Sequence, residues 1–269
     1  MAVLRTARRE ITLKRTLWMA IVNVTPDSFS DGGRVDVVEH ALSLLDAGAD
    51  ILDIGGESSR PGSDPISAEM EITRIRPVIL EILERCAAQG REKPLLSVDT
   101  YHPETAAFAL QNGVEILNDI SGAENPEMVR VAVESGAAVC FMHMQGTPKN
   151  MQENPHYKDV LTEIFTYLAR RRDALLTAGI PHEKLLADPG IGFGKTLEQN
   201  WTLIQNAHRF RKLGIPILVG HSRKGFLRPL LEQNPDWDRD DATHVVSRQL
   251  VSQGIEILRT HIKPILENV

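Results

Sequence analysis

The sequence predicts a TIM (β/α)8 barrel, an α/β architecture in which one parallel sheet closes on itself inside a ring of helices. Two observations predict it. Eight short apolar runs each end in a polar cluster, at Asn23, Gly56-Glu57, Asp99, Asn118-Asp119, His143, Asp188, Ser222-Arg223-Lys224 and Arg259-Thr260-His261, and a helix-compatible stretch follows each of the first seven. Seven times a helical stretch ends at a glycine just before an apolar run: Gly48, Gly90, Gly113, Gly136, Gly179, Gly214 and Gly254. Glycine fits that junction because the residue after a helix often takes a left-handed backbone, which other residues adopt only at a cost.

In chain order, the residues before Trp18 alternate apolar and polar at Ile11, Leu13 and Leu17, and are expected to form a short strand or hairpin closing the barrel bottom. The rival reading, a basic organelle-targeting peptide, has to accommodate Glu10 among the arginines. The eight barrel strands are placed at 18–24, 51–54, 95–98, 116–117, 137–142, 185–187, 217–219 and 257–258. They read as continuous apolar runs rather than alternating ones, the mark of strands covered on both faces in a parallel sheet. Between them, Val38-Ala41-Leu42-Leu45 and Val129-Ala132-Val133 carry the three-and-four spacing of an apolar helix face. Eight βα units in about 250 residues match a TIM barrel, whereas an open doubly wound sheet usually has fewer strands and a glycine-rich turn after the first. No compositional break divides residues 1–269, so one domain is expected. The loops after the first and second strands are long and polar, and are read as lids on the catalytic face.

Composition limits the function classes. A chain of 269 residues with 42% hydrophobic content can build a large core, and a formal charge of −6 offers no general attraction to nucleic acid or an anionic membrane, so any anionic ligand must be held by placed basic residues. Cys86 and Cys140 lie in apolar surroundings without metal or disulfide spacing and are read as core. No apolar run reaches the roughly 18 residues of a membrane span, so a soluble cytoplasmic protein is expected.

In such a barrel, residues at the C-terminal ends of strands converge on one pocket. Asp99, Asn118 and Asp188 close the third, fourth and sixth strands and offer two carboxylates and an amide, suited to a flat heterocycle with adjacent N–H groups. Any one of them alone could instead cap the helix that follows. Arg223 and Lys224 follow the seventh strand, and Arg259 and His261 alternate onto one side of the eighth, where barrels often hold phosphate. An ion pair with a nearby carboxylate is the plainer reading of Arg223. Asn23, Asp27 and Ser28 supply oxygens in the first loop, enough for a magnesium ion held partly by substrate phosphate. Gly190-Ile191-Gly192-Phe193-Gly194-Lys195 lacks the spacing of a nucleotide fingerprint and is read as a tight turn before a helix. His143 and His156 have no metal-ligand spacing, with His156 placed in a loop, and Arg170-Arg171-Arg172 is read as a solvated helix face.

Two longer motifs are specific enough to name a family. Asn23-Val24-Thr25-Pro26-Asp27-Ser28-Phe29-Ser30-Asp31-Gly32-Gly33 and Asp53-Ile54-Gly55-Gly56-Glu57-Ser58-Ser59-Arg60-Pro61-Gly62 strongly resemble the two signatures of dihydropteroate synthases. Ser97-Val98-Asp99-Thr100, Asn118-Asp119-Ile120, Met142-His143-Met144-Gln145-Gly146, Asp188-Pro189-Gly190, Ser222-Arg223-Lys224-Gly225-Phe226 and Arg259-Thr260-His261 extend the resemblance, in order, across 18–261.

The resemblance implies condensation of a 6-hydroxymethyl-7,8-dihydropterin diphosphate with 4-aminobenzoate to give 7,8-dihydropteroate and diphosphate in folate synthesis, by a homodimer. It implies that Asp99, Asn118, Asp188 and Lys224 hold the pterin between Met142 and Phe193, and that Asn23, Arg259 and His261 take the diphosphate, with Asn23 on Mg2+. Phe29, Ser59, Arg60, Pro65 and Ser222 would form the aminobenzoate pocket, where sulfonamides compete. The expected route is dissociative: diphosphate leaves first, and Asp99 and Asp188 stabilise the pterinylmethyl cation in a site closed to water, with Lys224 also in the catalytic group. Ser59 stands where the family usually has threonine, one methyl group fewer beside the arylamine and up to about 1 kcal/mol in drug affinity. Ile262 stands where the family usually has aspartate, and the last helix is expected to be short, weakening the usual dimer contact. A pterin-binding methyltransferase of the same fold would share Asp99, Asn118 and Asp188 but would not need Ser222-Arg223-Lys224 with both signature loops. A non-catalytic paralogue would be expected to lack a diphosphate ligand, yet Asn23, Arg259 and His261 are all present.

Overall fold

The computed structural model describes residues 2–25 and 34–265. A hairpin of β1 (Ala2–Arg5) and β2 (Glu10–Leu13) precedes an alternation of β3 (Leu17–Asn23), α1 (Arg34–Asp46), β4 (Ile51–Gly55), α2 (Ala68–Ala88), β5 (Leu96–Asp99), α3 (Pro103–Gln111), β6 (Ile116–Asp119), α4 (Pro126–Ser135), β7 (Ala138–Met142), α5 (Val160–Thr177), β8 (Leu185–Asp188) and α6 (Leu197–Gln205). After β9 (Leu218–Gly220), the helices α7 (Arg228–Gln233) and α8 (Arg239–Ser252) lead to β10 (Ile257–Thr260). The strands β3 to β10 pair in parallel in the order β8-β7-β6-β5-β4-β3-β10-β9, and a bridge from Ala187 to Ile217 closes the ring. The predicted TIM barrel is the fold.

The expected backbone punctuation is present at all seven glycine junctions, where φ runs from +64° at Gly90 to +101° at Gly113. Helix starts are equally local: Thr196 and Gln199 form a reciprocal capping box at α6, and the Asp159 carboxylate accepts from the amides of Leu161 and Thr162 at α5. Within the barrel, side chains two residues apart along a strand share a face. Met19, Ile51, Ile116, Ala138, Leu186, Leu218 and Ile257 form a buried layer at the bottom, into which Leu4 and Leu13 of the hairpin pack. The hairpin therefore plugs the barrel, as its alternation predicts. It is also tied there by charge: the fully buried Glu115 accepts from Thr6 Oγ1 at 2.6 Å and pairs with Arg9 Nη2 at 2.5 Å.

Two local expectations need correction. The buried face of α4 is Met128, Val131 and Ala132, leaving Val133 42% exposed, because Met128 supplies the apolar anchor one turn before Ala132. Arg171 and Arg172 are not a solvated face. Arg171 donates to the carbonyls of Gly122 (3.0 Å) and Ala123 (2.5 Å), and Arg172 to that of Leu213 (2.5 Å), so these side chains satisfy loop carbonyls beside the helix. Cys86 and Cys140 are buried free thiols in the core.

Candidate active site

Continuing the inward parity from the bottom layer toward the strand C-termini places Asn23, Asp53, Gly55, Asp99, Asn118, Met142, Asp188, Gly220 and Arg259 on the barrel's interior side. The polar residues of an otherwise apolar barrel are thus stacked at one mouth. Asp99 and Asn118 are register partners on β5 and β6, and Met142 and Asp188 on β7 and β8.

At the centre lies Arg259. Its Nε donates to Asp53 Oδ2 at 2.5 Å and its Nη2 to Asp99 Oδ2 at 2.5 Å, while Asn118 Nδ2 donates to the same Asp53 oxygen at 3.0 Å. The other oxygen, Asp53 Oδ1, is buried without a donor among the described residues. One guanidinium thus faces two carboxylates. Burial pushes Asp99 up to about 7; Arg259 pulls it back and Asp53 adds to the rise. Burial also raises Asp188, against the pull of Lys224 and a hydrogen bond from the Gly190 amide at 2.7 Å. A Cβ placed on Gly220 would stand 3.8 Å from Arg259 and 3.9 Å from Asp188 Oδ2, so that glycine separates the two groups by little more than its own backbone.

Lys224 closes the other side. Its ammonium donates to the Ile191 carbonyl at 2.5 Å and lies 4.5 Å from the centroid of the Phe193 ring, and burial lowers its pKa to about 8. Phe193 belongs to an apolar cluster with Ile120, Met142 and Met151, flanked by Tyr101 and Met144. A flat ring could lie against this wall with its polar edge on the acids.

The rim differs from expectation in charge. Burial, reinforced by Arg223, Arg259 and Arg60, lowers His261 to about 4, so at neutral pH it is an uncharged ring, with Nδ1 3.0 Å from Ser222 Oγ. Arg223 takes the plainer of its two readings, a two-bond pair with Asp240 at 2.6 and 2.7 Å. Asn23 ends β3 opposite Gly55, half-buried. The second loop crosses the mouth: the Gly62 amide donates to Pro148 O at 3.0 Å and Lys149 pairs with Asp64 at 3.0 Å, while Arg60 lies close enough to His261 to depress its pKa. Pro65 lines a cavity of about 440 Å³ with Tyr101, Ile120 and Met144, whose walls include neither Ser59, Arg60 nor Ser222. Phe29, Asp27 and Ser28 lie outside the described residues.

Two groups escaped the sequence reading. Asp53 sits inside an apolar strand, and a carboxylate on the inward parity of a covered strand was the available signal. Lys195 is 2% exposed and bonded to His143, whose ring burial and that lysine hold down to about 3. The described residues contain no convergent group of three or more His, Cys, Asp or Glu side chains that could hold a metal. Any Mg2+ at Asn23 would depend on the diphosphate's own oxygens, which suits an ion that keeps few protein ligands.

The pterin binding enzyme family matches residues 19–261. The chain belongs to the dihydropteroate synthase family of pterin-binding enzymes. It is 42% identical over 247 residues to the dihydropteroate synthase of Escherichia coli K12, covering 90% of this chain and 85% of that one. A solved Xanthomonas albilineans dihydropteroate synthase with 4-aminobenzoic acid superposes with a TM-score of 0.85 at 36% identity, covering 96% of this chain and 92% of that one. The Burkholderia cenocepacia enzyme complexed with 7,8-dihydropteroate gives 0.84 at 35% identity, with 97% and 91% covered. These relatives are transferases, and so is this chain.

Proposed function

We propose that this barrel mouth joins the methylene of a dihydropterin diphosphate to the amine of 4-aminobenzoate, releasing diphosphate and forming 7,8-dihydropteroate for folate synthesis. The observation that carries the reading is the buried Asp53–Arg259–Asp99 group beside Asp188, facing an apolar wall that ends in Phe193 and Lys224. Asp99, Asn118 and Asp188 would meet the pterin's N–H edge, with Met142 and Phe193 on its faces and Lys224 beside it. Asn23, Arg259 and His261 would receive the diphosphate, His261 as a neutral N–H donor, with Mg2+ on Asn23 and the phosphate oxygens to offset their charge. Ser59, Arg60, Pro65, Ser222 and Phe29 would hold the aminobenzoate.

The chemistry follows from burial. Loss of diphosphate leaves positive charge on the pterinylmethyl group, and carboxylates in a site of low polarity stabilise it far more than they would in water. An arylamine is neutral at pH 7, so its attack needs positioning rather than a strong base. No helix among the described residues is long and apolar enough to cross a membrane. The same reading makes the working form a cytoplasmic homodimer. Incubating the purified protein with the pterin diphosphate, 4-aminobenzoate and magnesium tests the reaction: diphosphate and a dihydropteroate mass should appear together, and the absence of both refutes it.

A further inference from the structure

The loop joining β8 to α6 is bonded at every carbonyl from 190 to 195. Gly190 O accepts from the Phe193 amide (3.1 Å), Ile191 O from Lys224 (2.5 Å), Gly192 O from Gln152 (2.8 Å), Phe193 O from Lys195 (2.8 Å), Gly194 O from the Tyr157 hydroxyl (2.8 Å) and Lys195 O from Asn200 (3.2 Å). Such closure is unusual for a loop, whose carbonyls ordinarily turn to water. The glycines leave it no slack: at Gly190 and Gly194, where φ is +71° and +63°, a Cβ would come within 2.0 Å of His143 O and 2.5 Å of Gln145 O.

Lys195 is the member of this set that links two strand ends. Its buried ammonium has three hydrogens and three acceptors: Phe193 O at 2.8 Å, His143 Nδ1 at 3.2 Å and His143 O at 3.3 Å. His143 follows β7 and packs edge-on against Tyr167, with ring centroids 4.9 Å apart. Burial lowers the Lys195 pKa well below that of a free lysine, against the pull of Asp188, whose own pKa Lys195 helps to hold down, and a group buried this way needs its full complement of partners.

We infer that Lys195 is a positioning residue for the pterin site: by tying the Phe193 carbonyl to His143, it fixes the Phe193 ring under the Lys224 ammonium and so shapes the wall on which the pterin lies. The inference rests on the proposed reading of Phe193 as a wall of that site. Replacing Lys195 by methionine keeps the length and apolar stem but leaves two carbonyls and a ring nitrogen without a donor. The Phe193 segment then loses its anchor to β7.

A double-mutant cycle tests it, with binding of 6-hydroxymethyl-7,8-dihydropterin read by calorimetry on wild type, Lys195→Met, Phe193→Leu and the double variant. Each single change should weaken binding at least tenfold, and the double variant should bind no more than about threefold worse than the weaker single, because both remove one contact. A general loosening of the fold would instead give losses that multiply. If Phe193→Leu binds like wild type, the reading of the wall is wrong. If Phe193→Leu weakens binding while Lys195→Met does not, or the two losses multiply, the wall stands and the role of Lys195 is refuted. Should Lys195→Met fail to fold, Lys195→Gln takes its place with the opposite expectation: its two N–H donors can still tie Phe193 O to His143, so binding should stay within about threefold of wild type, and a tenfold loss would refute the tie.

Discussion

Replacing Asp53 by asparagine isolates the electrostatics of the mouth. Asp53 and Asp99 share the Arg259 guanidinium, at 2.5 Å each, and Asp99 stands at about 7 partly because Asp53 is a second negative charge. The asparagine oxygen can still accept from Arg259 but brings no charge, so the guanidinium acts on Asp99 alone. A drop of about one unit, worth about 1.4 kcal/mol, is a modest demand on a like charge removed from a buried site. If the pterin binds to ionised Asp99, about a tenth of the wild type is competent at pH 6 and about half of the variant. Affinity for 6-hydroxymethyl-7,8-dihydropterin should therefore fall about tenfold between pH 8 and pH 6 in wild type, but only about twofold in the variant. The ligand's own ionisation is common to both and cancels. The pair is weakened rather than broken, so a loss of about 2 kcal/mol is expected, below the 3–5 of an orphaned buried charge, and Tm should drop by about 4–8 °C. Calorimetric titrations from pH 5.5 to 8.5 read the first effect and a melting curve the second. Identical pH midpoints in the two proteins would refute the shared-guanidinium account.

Other outcomes follow from the same geometry. Lys224→Ala should abolish turnover while circular dichroism stays native, since the ammonium's hydrogen bond to Ile191 O, its contact with the Phe193 ring and its pull on Asp188 all lie at the barrel mouth; near-normal activity would remove it from the mechanism. Asp188→Asn should raise the KM for the pterin diphosphate at least tenfold and that for 4-aminobenzoate less than threefold, which steady-state kinetics with each substrate varied will show. Arg9→Ala leaves the buried Glu115 with only Thr6 Oγ1 among its hairpin partners, and denaturant unfolding should register a loss of about 3 kcal/mol with kcat unchanged.

The fold was legible because its punctuation is local. Glycine at each helix end answers a backbone requirement, and an unbroken apolar run is what any strand covered on both faces needs, so both can be read without knowing which segments meet. The strand-end residues Asp99, Asn118, Asp188 and Arg259 were legible because a barrel gathers strand ends. What stayed hidden depends on contacts between distant segments. Asp53 reads as one polar residue in a core strand until Arg259, far along the chain, is placed against it. Lys195 reads as a lysine in a glycine turn, a setting usually open to solvent, until His143 closes over it. Arg171 and Arg172 read as a charged helix face because nothing in their own neighbourhood announces the carbonyls of Gly122, Ala123 and Leu213. The charge state of His261 is likewise set by neighbours, not by its place in the sequence.

The raised acids connect this packing to the proposed chemistry. A carboxyl whose pKa rises on folding marks a place where adding one positive charge, there a proton, lowers the free energy. At Asp99 and Asp188 the leading cause is removal from water rather than repulsion between charges, so the demand persists even with Arg259 and Lys224 nearby. A pterinylmethyl cation formed between them would meet the same demand without a proton, and the uncharged pterinylmethyl group of the intact diphosphate would not, which is the difference between transition state and ground state that a catalyst must create. Dryness is then part of the catalytic group. The loop at 190–195 satisfies its carbonyls from within the protein, so that side of the mouth needs no water to complete its hydrogen bonds. A substitution that admits water there should lower both acids toward ordinary carboxyl values and slow the loss of diphosphate together, whereas one that leaves the site dry should do neither.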